Sequence, residues 1–218
     1  MPEPIAIPIS YFEIAVDYER PEFRIWLDRP AVLQAVFDAL RAWEPAIEDV
    51  EPINAGKPSE QGVTIKLPVK RVSFFFGVAS CKFTRENVGW DLATETIAIF
   101  DAATSALVGA GHVTLGPKNT NIALHLQPKS LPFIALLAPF IPPQLAAIDS
   151  EPAITMATVA KWANHKVTID GSAAIANAIF LRFERQFAAT VSYDEIVCQL
   201  RKDEEELFRI LGVEEDRG

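Results

Sequence analysis

A chain of 218 residues, half of them apolar and 22% charged, carries enough hydrophobic material for a packed core, which excludes an intrinsically disordered chain and favours one domain or two closely joined lobes. The formal charge of -9 and the pI near 4.9 give a field that repels phosphate backbones, so nucleic acid is not expected as a partner. Cys81 and Cys198, the two cysteines, stand in no C-x-x-C or zinc-ligand spacing; a disulfide framework is not expected, and both read as buried thiols of a reducing, cytoplasmic compartment.

The elements follow in chain order. Phe12, Ile14, Val16 and Tyr18 alternate with Glu13, Ala15 and Asp17, the period of a half-buried strand over Ile5 to Tyr18. Phe23, Ile25 and Leu27 alternate again after Glu19-Arg20-Pro21-Glu22, which predicts a β-hairpin. From Pro30 the period becomes helical, with Val32, Leu33, Val36, Phe37, Leu40 and Trp43 on one side, Asp28 as the candidate cap and Pro45 as the stop. A polar connection spans Glu51 to Gly62. Beyond it, Val63, Ile65 and Leu67 predict a strand, and the apolar run Val72 to Val78 predicts a central strand covered on both faces.

Asp91 to Leu107 fits a helix capped by Asp91, although Thr94 to Ile99 also alternates. His112 to Leu115 and Ile122 to Leu126 predict two strands joined by Gly116 to Asn121. Residues 130 to 148 are apolar but broken by Pro132, Pro139, Pro142 and Pro143, so short helical pieces lying over the sheet are expected. Met156 to Trp162 reads as helix and Lys166 to Ile169 as a short strand. Asp170-Gly171-Ser172 reads as a turn into a helix that carries Ala176, Phe180, Phe183 and Phe187 on one side. The last helix starts at the capping box Ser192 to Glu195, carries Ile196, Leu200, Leu207, Phe208 and Leu211, and stops at Gly212. A hairpin followed by a helix recurs faintly over 8 to 43, 63 to 107 and 112 to 160.

These elements predict an α+β fold: a mainly antiparallel β-sheet with helices packed on one face and a C-terminal amphipathic helix, in a single domain over 1 to 218 whose two sub-lobes, if distinct, divide near 86 to 91. No basic segment followed by an apolar run opens the chain, so no secretory signal is expected. Prolines and charges interrupt the apolar stretches before the roughly 20 residues of a membrane span.

Few residues point to chemistry. Pairing Leu115 with Ile122 would set His112 beside His125, half of a metal site that still needs a third ligand. A pH-sensitive polar patch and ordinary surface histidines are the alternatives. His165, Asp170 and Ser172 are the residue types of a hydrolase triad, but without a Gly-x-Ser-x-Gly elbow Ser172 reads better as a helix cap. Cys81 beside Lys82 reads as a structural thiol, because neighbours on a strand face opposite ways. Asp203 to Glu206 reads as a solvated helix face. Glycine-rich phosphate loops are missing from the sequence, and no cofactor is expected.

The remaining signal is apolar: fourteen phenylalanines and the proline-broken segment, where Phe133, Leu136 and Phe140 are the candidate ligand-binding residues. The first expectation for function is therefore a non-catalytic protein-interaction or oligomeric module, a homo-oligomer or a subunit of a larger assembly. The alternative is a protein that binds a small apolar ligand in a cavity between sheet and helices. A metal-dependent enzyme using His112 and His125 is the third.

Overall fold

The computed structural model describes residues 2–53, 57, 61–87, 89–140, 158–161 and 164–215. The strands are β1 (Glu3–Tyr18), β2 (Val50–Ile53), β3 (Gly62–Leu67), β4 (Val72–Gly77), β5 (Ser80–Glu86), β6 (Leu115–Pro128), β7 (Thr158–Lys161), β8 (His165–Gly171), β9 (Ile179–Phe187) and β10 (Val213–Glu215). The helices are α1 (Arg24–Leu27), α2 (Arg29–Ala39), α3 (Ala93–Gly111), α4 (Phe133–Leu137) and α5 (Tyr193–Leu211), with 3-10 turns between them. The fold is α+β with a mainly antiparallel sheet, and a C-terminal helix is present as expected. The parallel exception is β10, which pairs with Glu3 to Ile5 of β1.

The chain divides into two compact units built from interleaved segments: Tyr11–Asn121 with Gln186–Val197, and Met1–Ser10 with Ile122–Arg185 and Cys198–Gly218. The boundary anticipated near 86 to 91 falls inside the first of these.

In the first unit the strand order is β2-β3-β4-β5-β1-β6. Alternation buries Phe12, Ile14 and Val16 of β1, Phe74 and Phe76 of β4 and Phe83 of β5 on one side. Phe100 of α3 sits over that side, its ring 6.1 Å from Phe74 and 5.0 Å from Phe83. Burying each such phenylalanine is worth about 2–3 kcal/mol. Arg85, 3% exposed, ties β5 to the start of α3 by donating to Thr96 Oγ1 at 2.6 Å and to Glu95 at 2.9 Å. Lys70 reaches the same carboxylate at 2.7 Å. Hydrogen bonds from Lys70 and Arg85 hold Glu95 below the usual carboxylate range.

In the second unit the order is β1-β6-β9-β8-β7. Leu200 and Leu207 of α5 face Ile122, Leu124, Leu181 and Phe183 around a narrow cleft, and Arg185 fixes the helix by an ion pair to Asp203 at 2.5 Å. Glu3 accepts the backbone N–H groups of Ser130 and Leu131 at 2.6 and 3.1 Å, anchoring the start of β1.

Several expectations are corrected. Residues 24 to 27 form α1 rather than the second strand of a hairpin; of the three alternating residues only Ile25 is buried, while Phe23 and Leu27 are 53% and 83% exposed. Asp28 occupies the N-cap of α2 without a side-chain cap bond, while Pro30 does sit in the first turn. The connection after Glu51 contains β2. β4 is central, but Ser73 and Phe75 on its second side are only half-buried. The region from Met156 to Trp162 holds β7 over 158–161 instead of a helix, and Phe180 to Phe187 belong to β9, whose inward residues Ile179, Leu181 and Phe183 alternate. The two strands expected at 112 to 126 are one strand of 14 residues. Cys81 is buried as expected, whereas Cys198 is exposed.

One stretch, Trp90–Gly111, is long and apolar enough to cross a membrane by length and composition: 22 residues at a hydropathy of 1.2. That corrects the reading that every apolar stretch is interrupted. Its apolar side, with Ile99, Phe100, Ala103 and Leu107, is buried in the first unit, which is how a core helix acquires such a composition.

Candidate functional site

α3 presents Ile97, Asp101, Thr104, Ser105 and Val108 on one face, at the three- and four-residue spacing that stacks side chains along a helix. With Leu115 and Lys118 of β6 and with Val191 to Asp194, that face encloses an open groove of about 560 Å³ within the first unit. The capping box places its far wall: the Ser192 N–H donates to Glu195 at 2.9 Å and the Glu195 N–H to Ser192 Oγ at 3.3 Å, which starts α5 at Tyr193. The Tyr193 ring stands edge-on to Phe100, centroids 4.6 Å apart.

Lys118 lies on the floor, 5% exposed. Its Nζ donates to the carbonyls of Ala189 at 2.5 Å and Val191 at 2.9 Å and sits 5.3 Å from the Tyr193 ring centroid. It forms no ion pair with a described residue, and burial lowers its pKa. The Tyr193 hydroxyl is buried and makes no hydrogen bond of standard geometry among the described residues. Neighbouring Thr104 gives its own proton to the Phe100 carbonyl at 2.8 Å. Burial pushes the Tyr193 phenol up to about 12; a hydrogen bond with Thr104 acts against that shift, and the charges of Cys81 and Asp101 add to it. Asp101 and Asp194 are exposed on the rim. Behind the groove, burial pushes the Cys81 thiol up to about 12 and raises the Tyr18 phenol too, which makes Cys81 inert as a nucleophile.

The residues expected from sequence are placed differently. His112 ends α3 in the left-handed region, φ 54°, while His125 is a half-buried residue of β6; the hairpin that would set them opposite each other does not exist. Among the described residues no group of three His, Cys, Asp or Glu side chains gathers as metal ligands. His125 Nδ1 instead meets Ser172 Oγ at 2.7 Å, with the Phe180 ring 5.3 Å away. The triad of His165, Asp170 and Ser172 is not assembled. His165 Nδ1 bonds Asn164 at 3.0 Å, Asp170 accepts the Gly171 N–H, and Ser172 Oγ accepts the N–H groups of Ala174 and Ile175. Ser172 is a cap, though of a turn and not of a helix.

Of the candidate ligand-binding residues, Leu136 is buried, 7% exposed, while Phe133 and Phe140 are half-buried. Phe133 is held by its N–H to Asn177 Oδ1 at 2.9 Å. The rest of the proline-broken segment, 141–148, lies outside the described residues. Lys118 was missed because Gly116 to Asn121 read as a turn, and Tyr193 because the capping box accounted for Ser192 to Glu195. The available signal was a lysine in register with Thr120, Ile122, Leu124 and Leu126, the buried side of one continuous strand.

No family model and no curated protein matches the chain. Among solved structures it is similar to the rolling circle replication initiator protein from Geobacillus stearothermophilus, at 11% identity over 92% of this chain and 80% of that one, with a TM-score of 0.37. A replication initiator stands against the expected exclusion of nucleic acid as a partner, and that exclusion is corrected. It rested on the summed charge and on the lack of a long Lys/Arg run in the sequence, and neither describes a face assembled by folding. At this TM-score the likeness assigns no function to the present chain.

Proposed function

We propose that this chain is a non-catalytic binding protein and that the groove between α3, the start of β6 and the N-terminus of α5 receives a small molecule. The observation that carries the reading is a groove of about 560 Å³ with the buried Lys118 ammonium on its floor; the adjoining Tyr193 hydroxyl makes no hydrogen bond of standard geometry among the described residues. A buried hydroxyl without an acceptor costs about 1–3 kcal/mol, and a ligand acceptor removes that cost in the bound state. The groove has the size of small-molecule sites, and Ile97, Val108, Leu115 and Val191 give it apolar walls.

Tyr193→Phe tests the reading. The unliganded variant is expected to be as stable as the parent or more stable, by up to about 1–3 kcal/mol. Small molecules that raise the thermal midpoint of the parent are expected to raise that of the variant less. A variant that is less stable without ligand overturns the reading, because the hydroxyl then has a structural partner.

A protein-interaction or oligomeric module is the second reading, and the exposed pair Phe23 and Leu27, one turn apart around α1, favours it. Leu136 cannot serve there, since it is buried. Sedimentation is expected to give a mass above 24.0 kDa that Leu27→Asp lowers; a monomer at every concentration excludes self-association.

A further inference from the structure

We infer that the groove is built for a zwitterion, a small molecule with a carboxylate at one end and a protonated amine at the other. The inference rests on the groove being the binding site. Its floor carries a buried ammonium with no described carboxylate in ion-pair contact. An ammonium has three protons; Lys118 spends two on the carbonyls of Ala189 and Val191, and one is left. Carbonyl dipoles solvate the charge without neutralising it, and a buried charge gains most from a counter-ion of opposite sign. A ligand carboxylate accepts that remaining proton and brings the charge that Lys118 lacks.

The rim has the opposite sign. Asp101 and Asp194 line the same groove, are exposed and form no ion pair with a described residue. A simple anion gains at Lys118 and is repelled by these carboxylates, while a simple cation gains at the rim and is repelled from the floor. A molecule carrying both charges is attracted at both places, and like-charge repulsion selects against the two single-charge competitors. The apolar walls between floor and rim suit an alkyl or aromatic spacer.

Calorimetric titration of the full chain near pH 7 with linear ω-amino acids of increasing chain length, beside alkylamines, alkyl carboxylates and alcohols of matched length, tests the inference. At least one ω-amino acid is expected to bind about tenfold or more tighter than each of its matched competitors, a gap that corresponds to about 1.4 kcal/mol. Lys118→Met is expected to weaken that binding about tenfold or more. The Asp101→Asn, Asp194→Asn double variant is expected to weaken the ω-amino acid and tighten the matched carboxylate. That opposite response does not depend on whether Lys118→Met folds. An amine, carboxylate or alcohol that binds as tightly as the ω-amino acid overturns the zwitterion and leaves the groove as a binding site. No binding by any of the four series at millimolar concentration overturns both.

Discussion

Ser172 Oγ sits among three hydrogen-bond partners, and counting protons there decides the state of His125. The N–H groups of Ala174 and Ile175 donate to Oγ at 3.2 and 2.9 Å, which occupies both lone pairs. The hydroxyl proton is then left for His125 Nδ1 at 2.7 Å, so Nδ1 is an acceptor and the neutral ring carries its proton on Nε2. Burial also disfavours the imidazolium and holds His125 below its ordinary value near 6.5. Because the folded value is the lower one, the unfolded chain takes up the proton first as pH falls. The stability contributed by neutral His125 is fully present above about 6.5 and is lost as pH falls through the folded value. The His125 ring-proton resonance is expected to titrate with a midpoint below 6.5, and Ser172→Ala is expected to raise that midpoint by removing the bond to the neutral form. A midpoint at or above 6.5 in the parent, or no change in the variant, sinks this account.

Elements whose local signals agreed were legible from sequence, and those with two superposed periods were not. α5 was readable because Ser192 and Glu195, the stripe through Ile196, Leu200 and Leu211, and Gly212 at φ 68° all point to one helix. α3 was readable once its apolar run was taken as helical, since Ile99, Phe100, Ala103 and Leu107 bury one side. β9 was misread because Phe180, Phe183 and Phe187 also satisfy a helical spacing. Antiparallel pairing with β8, in which Val167 stands opposite Phe183 and Ile169 opposite Leu181, decides in favour of alternation, and that pairing is a long-range fact absent from the local pattern. β6 failed for another reason: Gly116, Pro117 and Asn119 carry turn chemistry, yet the strand continues through them. That error hid Lys118 and with it the groove, and it created the supposed pairing of His112 with His125.

At the scale of the molecule, chain connectivity sets how the fold is lost. The chain contains two meanders of three consecutive strands, each followed by a helix of 19 residues: β3 to β5 by α3, and β7 to β9 by α5. This element order is clearer than the hairpin and helix recurrence visible in the sequence. The units are nevertheless not successive in the chain. β1 supplies Tyr11–Tyr18 to one and Glu3–Ser10 to the other, β6 is divided at Asn121 and Ile122, β9 at Arg185 and Gln186, and α5 at Val197 and Cys198. Unravelling either unit therefore strips ends from three strands and a helix that the other needs. A strand bonded over half its length also loses the cooperativity that holds its ladder together. The amides of β4 and β8 are accordingly expected to exchange by one common opening at limiting denaturant, with free energies within about 1 kcal/mol of each other. Native-state hydrogen exchange read by mass spectrometry measures both strands in one sample. If β8 opens several kcal/mol below β4, or the reverse, the units unfold independently and shared strands do not couple them.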